Sequence, residues 1–216
     1  VGSGEALNEH IYGDPWPSTS VRLEMLDEAL GVIRKLWSGK FVSHRGKYYT
    51  VEQARIYTRP ETPPPIYVSG FGPKATDLAA RVGDGYICTV PDPDLVQRFR
   101  TGGGGDKPCQ AAFKAAYAPT EDEGAQIAYE RWPNTGIPGE LSQVLPSPRH
   151  FEQASQLVSP DMMKSAFVCG SNVDAHLKMI DTYAKAGFNE LYIANVGPNC
   201  QGLFDMYEKE ILPRVR

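Results

Sequence analysis

The residues in this sequence best suited to chemistry fall in three short runs. The first is Gly2-Ser3-Gly4-Glu5-Ala6-Leu7-Asn8-Glu9. Its glycines let a ligand approach the backbone, Ser3 offers a hydroxyl, and Glu5 is an acid at a loop-to-helix junction. A plain helix start, with Ser3 as N-cap and Glu5 favouring the helix dipole, accounts for the same residues. The second run is Ser69-Gly70-Phe71-Gly72-Pro73-Lys74-Ala75. Here a strand ends in glycines and Pro73 opens a helix, where its missing N–H costs little. The free N–H groups of such a helix start bind phosphate, and Lys74 can add charge. A tight strand-to-helix turn is an equal alternative. The third run, Thr89-Val90-Pro91-Asp92, directly follows a strand and specifies no chemistry alone. Gly102 to Gly105 resemble a phosphate loop only superficially: they follow a helix and lack Lys-Ser/Thr, so they read as a flexible connector.

The elements that must position these runs alternate. Leu23, Leu26, Leu30, Ile33 and Trp37 recur at helical spacing, with acids early, Arg34 and Lys35 late, Ser18 to Ser20 offering N-caps and Gly39 beyond the end. The stretch 41–49 reads as a β-hairpin and Pro60 to Pro65 as a stiff linker. Strands are expected at 66–70, 85–89, 110–118 and 190–194. Helices are expected at 74–82, 94–100, 121–132, 149–158, 203–212 and after Asn172, this last one ending at Gly187. Strands alternating with helices imply a parallel sheet with helical crossovers. Val1 adds what reads as a strand end, so the fold class is α/β: a partial (β/α)8 barrel, roughly its last five units, as one domain over 1–216. An open doubly wound sheet is the rival, but Val1-Gly2-Ser3-Gly4 breaks the Gly-x-Gly-x-x-Gly pattern where its third glycine would fall. Since the chain starts without Met, in what reads as the middle of a fold, the expectation is that an earlier part of the barrel precedes it.

Composition excludes several classes. Net charge is -4 with acids and bases interspersed, which gives no cationic surface for nucleic acid. No apolar run approaches the length of a membrane span. The four cysteines and four histidines lack metal-ligand spacing, and the cysteines suit a reducing compartment. The expectation is a cytoplasmic homodimer acting on a small molecule, without metal, membrane or nucleic acid.

Three segments carry a family resemblance: Ser-Gly-Glu-Ala-Leu-Asn-Glu at the start, the Leu-x-Glu-x-Leu…Ile-x-x-Leu-Trp-Ser-Gly helix, and Tyr-Val-Ser-Gly-Phe-Gly-Pro…Arg-Val-Gly-Asp-Gly-Tyr-Ile-Cys-Thr. The chain resembles the luciferase-like flavin and deazaflavin barrels, and within them the coenzyme F420-dependent glucose-6-phosphate dehydrogenases. The resemblance implies an oxidoreductase that moves a hydride to or from F420. It implies that Ser3, Gly4 and Asn8 touch the deazaflavin and its tail, and that Glu5 is the acid beside the ring. It further implies that Ser69, Gly70, Phe71, Gly72, Lys74 and Ala75 hold the cofactor, chiefly its phosphate, and that Thr89 contacts substrate. The family's catalytic histidine belongs to the part before Val1.

The departures bear on substrate. Where the family's sugar-phosphate site uses two lysines and an arginine, this chain carries Asp92, Ser142 and Ala166. A dianionic phosphate needs charge-assisted donors, and Asp92 would repel it. The expected substrate is therefore a neutral or hydrophobic alcohol, ketone or enone. Two other readings are an FMN-dependent monooxygenase on the same barrel and a non-catalytic cofactor-binding barrel.

Overall fold

The computed structural model describes residues 1–215. In chain order the elements begin with α1 (Ala6–Glu9), α2 (Thr19–Trp37), β1 (Val42–Arg45), β2 (Thr50–Ala54), β3 (Tyr67–Ser69) and α3 (Pro73–Val82). They continue with β4 (Gly85–Ile87), α4 (Pro93–Phe99), β5 (Cys109–Ala116), α5 (Glu121–Arg131), α6 (Leu141–Val144) and α7 (Pro148–Ser155). The last are α8 (Pro160–Ala166), β6 (Val168–Cys169), α9 (Val173–Lys185), β7 (Glu190–Asn195) and α10 (Cys200–Met206). The chain divides into two compact units, one comprising 1–4, 17–88 and 92–109, the other 5–16, 89–91 and 110–216.

In the first unit, β3 and β4 pair in parallel, with Tyr67 opposite Gly85 and Ser69 opposite Ile87. Val1 extends this ladder. Its nitrogen donates to the Tyr67 carbonyl at 2.8 Å, and its carbonyl accepts from Ser69 N–H at 2.7 Å. Val1 is thus a strand end. Val68, Leu78, Ala79, Tyr86 and Phe99 form the buried centre, and the Tyr86 and Phe99 rings stack at 5.1 Å.

Two local expectations change. The hairpin joins 42–45 to 50–54, so Tyr48 and Tyr49 lie in its turn. The cause is Glu28 of α2, whose carboxylate accepts from His44 Nε2 and from the backbone N–H groups of Lys47, Tyr48 and Tyr49 at 2.9–3.0 Å. Those donors, the imidazole above all, hold the Glu28 carboxyl down to about 2. Gly102 to Gly105, expected as a flexible connector, instead form a packed wide turn continuing α4. Gly104 is buried, and a Cβ there would lie 2.5 Å from the Phe99 ring. Gly103 and Gly105 take φ of 116° and 52°, which side-chain-bearing residues rarely adopt.

In the second unit, β5 pairs in parallel with β7 from Gln110–Glu190 to Ala115–Asn195, while its C-terminal end also pairs with β6. Alternation splits β5 into two faces. Ala111, Phe113 and Ala115 are buried, with Phe113 stacked on Tyr183 of α9. Gln110, Ala112 and Lys114 point to the opposite face, together with Glu190, Tyr192 and Ala194. Between β5 and α9 lie α5 to α8, of which α5, α7 and α8 gather on a cluster that includes Ala125, Ala128, Ile137, Val158, Met163 and Phe167. Helix α8 and strand β6 were not foreseen. The first is only seven residues long but is capped by Ser159, which accepts from Met162 N–H, and opened by Pro160. Asn172 caps α9 as expected. The final helix, expected as one piece, widens beyond α10 over 207–211.

Candidate functional site

The second sequence run folds as a strand end turning sharply into α3. A Cβ on Gly70 would stand 3.0 Å from the backbone of Ala75 and Thr76, so the loop hugs the helix start only because residue 70 has no side chain. Two buried hydroxyls fix this turn from beneath. Tyr86 donates to the Gly70 carbonyl at 2.7 Å, and Thr76 Oγ1 donates to the Gly72 carbonyl at 3.0 Å. The two oxygens are also 3.2 Å apart. Burial pushes the Tyr86 phenol well above its usual range, so it stays a hydrogen-bond donor.

Gly72 is the N-cap of α3 and supplies no side-chain cap. Thr76 N–H makes the first helical bond back to Gly72, so the N–H groups of Lys74 and Ala75 project without helical partners. A Cβ at Gly72 would meet nothing within 4 Å, so the space before these amides is open. Gly72 itself is extended (φ -151°), so the open approach rather than the backbone angle makes a small residue useful there. Phe71 stands 47% exposed beside it. These features fit an anionic group seated at the helix N-terminus. The Lys74 ammonium donates to Ser20 Oγ at 3.2 Å, which holds it at the start of α2.

Within the same unit, Ser3 and Gly4 follow Val1, itself laddered to β3. A Cβ on Gly2 would lie 3.7 Å from that of Ser69, so the two strand ends run side by side. Gly4 takes φ of 84°. The N-cap of α1 is Glu5, not Ser3, and neither side chain caps the helix. Glu5 is exposed, and its backbone carbonyl accepts from Asn8 and Glu9. Ser3 is therefore not the N-cap, and the Glu5 carboxylate makes no capping hydrogen bond.

Glu5, Asn8 and Thr89 belong to the second unit. Asn8 is exposed on α1, and the Thr89 carbonyl accepts from the buried Tyr183 hydroxyl at 2.6 Å. Asp92, of the first unit, has a structural task. Its Oδ1 caps α4, accepting from Asp94 N–H at 2.9 Å and Leu95 N–H at 3.3 Å. Ser142 lies on α6, and Ala166 packs on the cluster shared by α5, α7 and α8. The hydroxyls of Thr76 and Tyr86 were missed. Tyr86 carried the only prior signal, as an aromatic inside an apolar strand.

Strand ends that lead into glycine turns and a bare helix N-terminus are an arrangement at which α/β barrels can seat anionic groups. Residues 1–101 match the luciferase-like monooxygenase family model. Across its whole length the chain is 32% identical to an F420-dependent glucose-6-phosphate dehydrogenase of Microbacterium testaceum, covering 68% of that protein. It is 31% identical to the enzyme of the same name from Beutenbergia cavernae, with the same coverage. Among solved structures, an F420-dependent secondary alcohol dehydrogenase holding an F420-acetone adduct superimposes with a TM-score of 0.87 at 30% identity, covering all of this chain and 68% of that one. The chain belongs to the luciferase-like family of barrel oxidoreductases, in its F420-dependent dehydrogenase branch.

Proposed function

We propose that this chain forms the F420-binding and proton-handling portion of a dehydrogenase that exchanges a hydride with a small organic substrate other than a sugar phosphate. The observation that carries the cofactor part is the open, amide-lined start of α3, pinned by Tyr86 and Thr76. Ser69 to Gly72 and the amides of Lys74 and Ala75 would hold the cofactor phosphate, with Ser3, Gly4 and Asn8 along the rest of it. The bound deazaflavin supplies the hydride-accepting and hydride-donating centre. Glu5, exposed and free of capping, takes or returns the proton that accompanies the transfer. Thr89, with its carbonyl fixed by Tyr183, offers its hydroxyl to the substrate.

The substrate part rests on charge. Asp92 holds a carboxylate in the loop after β4, and neither Ser142 nor Ala166 can supply a cationic donor. Losing one charge-assisted hydrogen bond to a buried anion costs about 1.5–3 kcal/mol. A secondary alcohol or ketone suits such a site better than glucose 6-phosphate.

The cofactor reading is tested by equilibrium binding of F420 and of FMN to this chain and to Gly72→Val. The backbone angle at Gly72 accepts a side chain and a Cβ there meets nothing within 4 Å, so the variant should fold normally. It should lose F420 binding because valine fills the approach to the amides. Retained affinity would place the phosphate elsewhere, and preferential binding of FMN would favour a flavin enzyme.

A further inference from the structure

The second unit contains a charged side chain that none of the roles above uses. Lys114 sits in the C-terminal half of β5, on the face opposite the buried Phe113–Tyr183 pair. Its ammonium lies 5.4 Å from the centre of the Trp132 ring and 5.8 Å from that of Phe167. Among the described residues it has no carboxylate partner and no hydrogen bond. Lys164 on α8, by contrast, is committed to Asp122 and Asp161 at 2.7 and 2.9 Å.

A lysine that only snorkels would carry its charge into water. This one keeps its charge between two aromatic faces, and burial lowers its proton affinity. An anion beside the ammonium would offset that desolvation. Parallel strands of a barrel present their functional side chains at their C-terminal ends, which is where Lys114 stands.

We infer that Lys114, framed by Trp132 and Phe167, is a substrate-recognition residue that binds one carboxylate of a substrate with a flat or apolar body. A single ammonium with its three donors matches a monoanion, whereas a phosphate dianion calls for more than one cationic group. Trp132 is 44% exposed, which leaves ring surface for the apolar part of the ligand. The inference rests on the dehydrogenase reading and narrows its substrates to hydroxy or oxo acids with one carboxylate.

The test titrates intrinsic tryptophan fluorescence of the chain with benzoate, benzamide and methyl phosphate. Benzoate should bind tightest of the three. Lys114→Met should weaken benzoate about ten- to hundred-fold, the range for one charge-assisted hydrogen bond, while leaving benzamide within about two-fold. Lys114→Gln gives the same comparison if the Met variant does not fold. Benzoate affinity indifferent to Lys114, equal losses for benzoate and benzamide, or tighter binding of methyl phosphate would each overturn the inference. F420 binding is measured in parallel. Its absence from the unmodified chain would overturn the dehydrogenase reading, whereas intact F420 binding with Lys114-independent benzoate binding would overturn this inference alone.

Discussion

Tyr86→Phe removes one oxygen from beneath the turn at Gly70 to Gly72, the proposed cofactor loop, and nothing else. The phenol is fully buried, and its hydroxyl donates to the Gly70 carbonyl at 2.7 Å while touching Thr76 Oγ1 at 3.2 Å. The two hydroxyls carry two protons for three contacts, and each proton already has a backbone acceptor on either side of Phe71. Loss of the Tyr86 proton leaves the Gly70 carbonyl without this donor, at a cost of about 1–3 kcal/mol. That energy now resists displacement of residues 70–72, so the variant should lose comparable free energy in two separate measurements. Urea unfolding should show a lower midpoint at unchanged slope. F420 affinity should fall about five- to hundred-fold, because the loop must be re-ordered on binding. Thr76→Val should act in the same direction, and the double variant should cost less than the two single losses combined. A lowered urea midpoint with unchanged F420 affinity would mean that the hydroxyls support the fold without positioning the loop.

Glu5→Gln, in a protein that includes the rest of the barrel, should lower turnover about 10²–10⁴-fold with cofactor affinity within a few-fold, as steady-state kinetics and F420 titration would show. Asp92→Asn keeps a side-chain acceptor for capping α4 but removes the charge, so glucose 6-phosphate oxidation should improve with little change in stability; Asp92→Ala should cost about 0.5–2 kcal/mol in urea unfolding. Burial holds His176 below its usual 6.5, with its ring against the Tyr207 hydroxyl and the Gly170 carbonyl. The unfolded chain therefore binds this proton more readily, and stability should fall as pH drops below about 6.5. His176→Gln should flatten that slope in urea midpoints taken between pH 7.5 and 5.5, conditions chosen to span about one unit on either side of the ordinary histidine value.

The strands and helices that carry the site were legible because their patterns are local. Leu23 to Trp37 repeat at helical spacing, and Ile66 to Gly70 form an apolar run closed by glycines. Pro73 directly after Gly72 announced the start of α3. What stayed hidden depends on partners distant in sequence. Nothing near Tyr48 and Tyr49 says that Glu28 will gather their N–H groups into a turn. The glycine run at 102–105 looked loose, yet Phe99 requires its closeness. Asp92 followed by Pro93 is a readable N-cap pattern, although the same carboxylate also stands where the family places a phosphate contact. Lys114 gave no signal, since a lone lysine in an alternating strand looks like any solvent-facing residue.

The proposed reaction is hydride exchange between a deazaflavin and a substrate that is not a sugar phosphate. It is tested most directly by incubating oxidised F420 and the protein, with the rest of the barrel present, with secondary alcohols deuterated at the carbinol carbon, hydroxy acids included, and separately with glucose 6-phosphate deuterated at C1. Deuterium should pass from an alcohol carbon into the reduced cofactor while glucose 6-phosphate delivers almost none. Rapid transfer from glucose 6-phosphate, or reduced cofactor without deuterium from any alcohol, would contradict it.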